Sequence, residues 1–166
     1  MEELLNQIKK ALDNKLYLVA LQSTLTLPDI CAGLSIEDNE THRSDYIKWY
    51  EENIVNKQNL TGEDCYYFRC AMLHEGKMQH KDIKLSRIIF LVPNSNCTFI
   101  GNIFDINGEK ALNIDLPTFC NEMLECVLNW WQKNKEIDIV KKNYEKIVKY
   151  YPNGLSPFIG GISIIA

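Results

Sequence analysis

Apolar positions recur at helical spacing through the first half of the chain. Leu4, Leu5, Ile8, Ala11 and Leu12 form one stripe, and residues 16–25 continue as a more fully apolar helix. Pro28 suits the first turn of a further short helix over 28–34, and the polar run 35–43 reads as a surface loop. Tyr46, Ile47, Trp49, Tyr50 and Ile54 predict an aromatic-rich helix. Residues 60–76, LTGEDCYYFRCAMLHEG, carry start and stop signals of their own. The Thr61 hydroxyl can accept an orphan amide hydrogen while Asp64 reaches back, and Gly76 supplies a left-handed stop. Cys65, Phe68, Met72 and Leu73 give this segment a buried face.

The pattern changes after Lys84. Residues 88–92 are a β-branched apolar run ending at Pro93, residues 97–103 form another, and Asn107-Gly108 is a strong hairpin signal before the run 111–116. This predicts a small antiparallel β element packed on the helices, with every other ordered segment helical. Pro117 opens a long helix bearing Phe119, Cys120, Met123, Leu124, Val127, Leu128 and Trp131. A last helix is predicted over 136–150, stopped by Pro152, Asn153 and Gly154. The apolar tail 155–166 contains Pro157, Gly160 and Gly161, is too short and broken to span a bilayer, and is expected to pack on the domain or a partner. No repeat or linker divides the chain. The expected fold is therefore mainly α, a single helical bundle with a small antiparallel β-hairpin insertion around 86–116.

With 166 residues, 46% of them hydrophobic and 24% charged, the chain can bury a core without disulfide or metal support. The formal net charge of −4 excludes a general electrostatic pull toward nucleic acid, so any RNA must meet a local patch. Five of the six cysteines (Cys31, Cys65, Cys70, Cys120, Cys126) fall in apolar helical stretches, where free thiols behave as small hydrophobes. A reduced cytoplasm and no membrane are the expectation, and the acidic, amphipathic first residues do not read as a signal peptide.

Candidate chemistry centres on Arg69 and His74. Imidazole titrates near neutrality and can move protons, and a guanidinium can stabilise charge on phosphate oxygens. Downstream, Lys77, His80, Lys81, Lys84 and Arg87 stand against only Glu75 and Asp82, a run along which a phosphate backbone could lie. Helices before and after a β insertion, with Arg69, four residues, and His74 closing the central helix, resemble the HEPN superfamily, whose hallmark is Arg, four to six residues, then His. The resemblance covers roughly residues 1–150 in architecture and two side chains in motif. It implies metal-independent RNA cleavage by attack of the ribose 2′-hydroxyl on the adjacent phosphorus, with Arg69 and His74 as catalytic residues and no cofactor. Active members usually carry a polar residue after the Arg, where this chain has Cys70. On an ordinary α-helix five residues turn through about 140°, so one pair would not converge by itself. The family's dimerisation, which joins two such helices, makes a two-fold homodimer the expected assembly.

Other readings stay open on the same residues. Arg69 can form a surface ion pair with Asp64 or Glu63 while His74 complements the negative end of its helix. The protein would then be an inactive helical interaction module with a protein partner, of a bacterial defence or toxin-antitoxin type. Cys70 and His74 at i and i+4, with His80 and a distant Cys, could ligate zinc, but the paired short-spaced ligands of closed zinc sites are missing, so no metal is expected. A Cys70 nucleophile lacks an orienting group. Tyr66, Tyr67, Trp49, Trp130 and Trp131 could stack bases but read more readily as core. No phosphate-cradling glycine loop or nucleophile elbow is present.

Overall fold

The computed structural model describes residues 1–79, 83, 85–93 and 100–166. Among the described residues six α-helices build a bundle: α1 (Glu2–Asp13), α2 (Tyr17–Leu34), α3 (Arg43–Asn53), α4 (Gly62–Cys70), α5 (Leu116–Asn134) and α6 (Asp138–Tyr144). The apolar helix α2 lies at the centre and touches α1, α3, α4, α5 and α6. Its buried side chains, among them Leu21, Leu25, Leu27, Cys31 and Leu34, join one hydrophobic cluster with Tyr46, Tyr50, Phe68, Met123 and Val127. Trp49 and Trp130 meet edge to face in that cluster, with centroids 6.3 Å apart, so these aromatics are core.

The helix predicted to start at Pro28 is instead the second half of α2, with Pro28 inside it. Proline removes the amide hydrogen that would close on Thr24, a cost of about 3 kcal/mol in an isolated helix. Burial of α2 against five neighbouring helices overrides that penalty, and the buried Tyr46 hydroxyl donates to the Leu25 carbonyl at 3.2 Å, just before the interruption. At the far end of α2 the Asn143 amide donates to the carbonyls of Gly33, Leu34 and Ile36, at 3.4, 3.3 and 2.6 Å. One buried side chain of α6 thus acts as donor to the carbonyls at the end of α2.

The β element holds β1 (Arg87–Leu91), β2 (Ile103–Ile106) and β3 (Glu109–Asp115) in the order β1-β3-β2. Asn107 (φ 56°) and Gly108 (φ 85°) make the tight turn between β2 and β3, which pair antiparallel as predicted. However, β1 pairs with β3 in parallel, Arg87 opposite Ala111 through Leu91 opposite Asp115, so the sheet is mixed and not antiparallel. This register puts Ile88 and Phe90 on the same face as Leu112 and Ile114, the face turned to the helices. Phe90 stacks on Phe68 of α4 and meets Phe119 of α5 edge-on, both at 5.4 Å. Of the strand predicted over 97–103, residues 97–99 lie outside the described residues, residues 100–101 form a turn, Gly101 and Asn102 exchange backbone hydrogen bonds with Asn113, and the strand itself starts at Ile103.

The last helix ends at Tyr144, six residues early, and the tail is not helical. It forms two small antiparallel pairs, β4 (Tyr150–Tyr151) with β7 (Ile164–Ile165) and β5 (Gly154–Leu155) with β6 (Ile159–Gly160). Gly154 needs its glycine: its φ is +86° and a Cβ would collide with the Ile159 carbonyl. Phe158, Ile162 and Ile165 of the tail are exposed and do not pack on the domain. No helix among the described residues is long and apolar enough to cross a membrane.

Candidate functional site

Helix α4 begins where the sequence places it. Thr61 Oγ1 accepts the Asp64 amide hydrogen at 3.1 Å and donates to the Asp64 carboxylate at 2.7 Å. The return contact therefore goes to the hydroxyl. After Cys70 the helix widens into a π turn over Ala71–Glu75, closed by Gly76 at φ +64°, whose amide hydrogen points back to the Ala71 and Met72 carbonyls.

That π turn corrects the expectation that one Arg and His pair cannot converge. In a π turn the hydrogen bonds run from i to i+5, so side chains five positions apart come round onto one face. Arg69, in the last turn of α4, brings Nη1 to 3.4 Å from Nε2 of His74 within a single chain. The composite of two chains is not needed to bring these two groups together.

Arg69 does not pair with Asp64 or Glu63. Asp64 is engaged by Thr61, and Glu63 pairs with Arg43, which also lies over the Tyr67 ring at 4.8 Å. The partner of Arg69 is Asp29 of α2, whose Oδ2 lies 2.6 Å from Nη2; the two side chains are 21% and 19% exposed. The ion pair joins one guanidinium nitrogen to one carboxylate oxygen, and the buried Arg69 Nε has no acceptor. Asp29 is itself well anchored, because the Thr41 hydroxyl donates to its backbone carbonyl at 2.8 Å. Burial pushes the Asp29 carboxyl above its ordinary value, against the opposing charges of Arg69 and His74. For Arg69 burial disfavours the cation, and the Asp29 charge with the Cys70 contact more than offsets it. The guanidinium therefore stays charged.

The site is thus a carboxylate, a guanidinium and an imidazole in a line that runs outward from half-buried Asp29 to exposed His74. Such a line can bind an anion beside a proton carrier. The other sequence-predicted residues are scattered. Exposed Lys77 pairs with Glu75 at 2.8 Å, which offsets part of its charge. Arg87 opens β1 and borders a groove on the outer face of the sheet with Ile89, Phe104 and Lys110. His80, Lys81 and Lys84 lie outside the described residues. Arg69 Nη1 is 3.8 Å from the Cys70 sulfur, an unsuitable neighbour for a thiolate-bound cation, and no group of three metal-ligating side chains occurs among the described residues. Burial pushes the thiols of Cys65 and Cys120 up to about 12 and 11, and that of Cys31 still higher, which keeps them protonated and unreactive.

Asp29 is the residue that sequence reasoning missed. The signal was present: it is the single charged side chain of α2, YLVALQSTLTLPDICAGL, and a lone carboxylate in an apolar helix calls for a partner. No protein-family model, no curated protein and no solved structure matches this chain.

Proposed function

We propose that this protein is a metal-independent endoribonuclease of the HEPN type that acts on single-stranded RNA and works as a homodimer. The observation that carries the reading is the approach of Arg69 Nη1 to His74 Nε2, 3.4 Å, at an exposed helix end with Asp29 behind the guanidinium. His74 takes the proton of a ribose 2′-hydroxyl, the 2′ oxygen forms a bond to the adjacent phosphorus, and the bond from phosphorus to the 5′ oxygen breaks. The imidazolium returns its proton to the departing 5′ oxygen, leaving a 2′,3′-cyclic phosphate and a 5′-hydroxyl. Arg69 stabilises the charge on the phosphate oxygens during this exchange. Lys77 and Arg87, with His80, Lys81 and Lys84 of the sequence, are the candidates for contact with flanking phosphates.

The test is cleavage of a mixed RNA pool in the presence of a chelator, with the product ends analysed. His74→Ala and Arg69→Ala are each expected to lower the rate about 10²- to 10⁴-fold, the usual loss for a positioned proton-transfer group. Circular dichroism checks that the fold persists, and light scattering at tens of micromolar checks the dimer. A wild type that leaves the pool intact removes this reading. The other reading, an inactive interaction module, is favoured by the Asp29 ion pair, which gives Arg69 a partner without any substrate. It requires wild type and both variants to bind RNA equally or not at all.

A further inference from the structure

We infer that Asp29 and Arg69 are positioning residues that hold the proton of neutral His74 on Nδ1, leaving Nε2 as the nitrogen with the free pair. A guanidinium has five donors and no acceptor. In the 3.4 Å contact between Arg69 Nη1 and His74 Nε2, Nε2 must therefore be the acceptor, and the imidazole proton must sit on the opposite nitrogen. An unconstrained imidazole prefers the other form, with hydrogen on Nε2, so the contact selects against the intrinsic preference.

The contact needs a fixed guanidinium, and two elements provide one. Asp29 pins Nη2 from α2 at 2.6 Å, and the π turn sets the distance from α4 to His74. Asp29 is in turn tied to the loop before α3 through Thr41. The groups around Asp29 on the packed elements are Tyr46 of α3, Cys65, Tyr66 and Arg69 of α4, and His74; of these Arg69 alone makes a charged contact with it. The rest of the consequence rests on the ribonuclease reading. A bound phosphate draws Nη1 from Nε2, and the uncovered lone pair then faces the 2′-hydroxyl. The base is thereby protected until an anion arrives.

The tautomer is measurable without any RNA. Nitrogen-15 NMR of the full chain at about pH 8.5, above the ordinary imidazole range, distinguishes the two forms, and loss of signals in His74→Ala assigns His74 among the three histidines. Wild type is expected to show His74 protonated on Nδ1. Arg69→Ala is expected to revert to the Nε2-protonated form, and Asp29→Asn to shift toward it. Wild-type His74 protonated on Nε2, or an Nδ1 proton that survives in Arg69→Ala, overturns the inference; an unchanged Asp29→Asn removes Asp29 from it. If Arg69→Ala does not fold, the wild-type and Asp29→Asn spectra still decide. An RNA pool left uncut alongside the expected tautomers sinks the ribonuclease reading and leaves this one standing.

Discussion

At the residue scale, Asp29 is where a charge has been placed against the local preference. Its carboxyl is raised by burial more than Arg69 and His74 lower it, with Tyr46, Cys65 and Tyr66 also near. In the unfolded chain it returns to about 3.9. Between that value and its folded pKa the native state holds more protons than the unfolded state, so stability falls as pH rises through this window. Asp29→Asn lacks the effect. Its thermal midpoint relative to wild type is expected to climb as pH rises through the folded pKa, and to stay level below the unfolded one; calorimetry across the acid range reads this. A difference that does not vary with pH would mean that Asp29 ionises as in water. Arg69 and His74 were legible because a cap and a glycine stop frame them, whereas Asp29 is forty residues from Arg69 and no local pattern links the two.

At the scale of elements, the helix starts at Thr61 and Asp115 follow from local chemistry, since each side chain accepts an amide hydrogen three residues on, at 3.1 and 2.8 Å. The π turn does not follow from it. Ala71, Met72 and Leu73 suit an α-helix equally well, and the wider turn is chosen where the segment buries Ala71 and Met72 while running to Gly76. The end of α2 is also a tertiary matter, since its Gly33 and Leu34 carbonyls accept from Asn143 of α6. Asn143→Ala would leave the buried Leu34 carbonyl without its side-chain donor, while the Gly33 and Ile36 carbonyls keep the amide hydrogens of Ile36 and Asn39, and is expected to cost about 1–3 kcal/mol, measured by urea denaturation. A loss within a few tenths of a kcal/mol would show that water replaces the amide.

For the molecule as a whole, the sheet is held to the bundle by Phe90, between Phe68 and Phe119. The loop before α4 adds polar ties: Asn59 donates to the Gly101 carbonyl at 2.7 Å and Gln58 accepts from the Asp115 amide at 2.9 Å. Phe90→Ala removes the aromatic link and is expected to cost about 3 kcal/mol, the low end for a Phe truncated in a core. Two separate unfolding transitions in place of one would further show that the sheet melts on its own once detached. Retention of wild-type stability would place the anchoring in the polar ties instead.

The sequence by itself determined the helical pattern of the first half, the turn at Asn107-Gly108, the start of α5 near Pro117, and the pairing of Arg69 with His74 as candidates. Each of these depends on residues a few positions apart, whose spacing alone sets hydrogen bonding and exposed face. Tertiary structure decided the rest: α2 runs through Pro28 because five helices bury it, β1 joins β3 in parallel in a register that buries Ile88 and turns Phe90 to the helices, and Asp29 meets Arg69 because α2 packs on α4. These outcomes compare burial across segments distant in the chain, and local propensity carries no record of which segments meet.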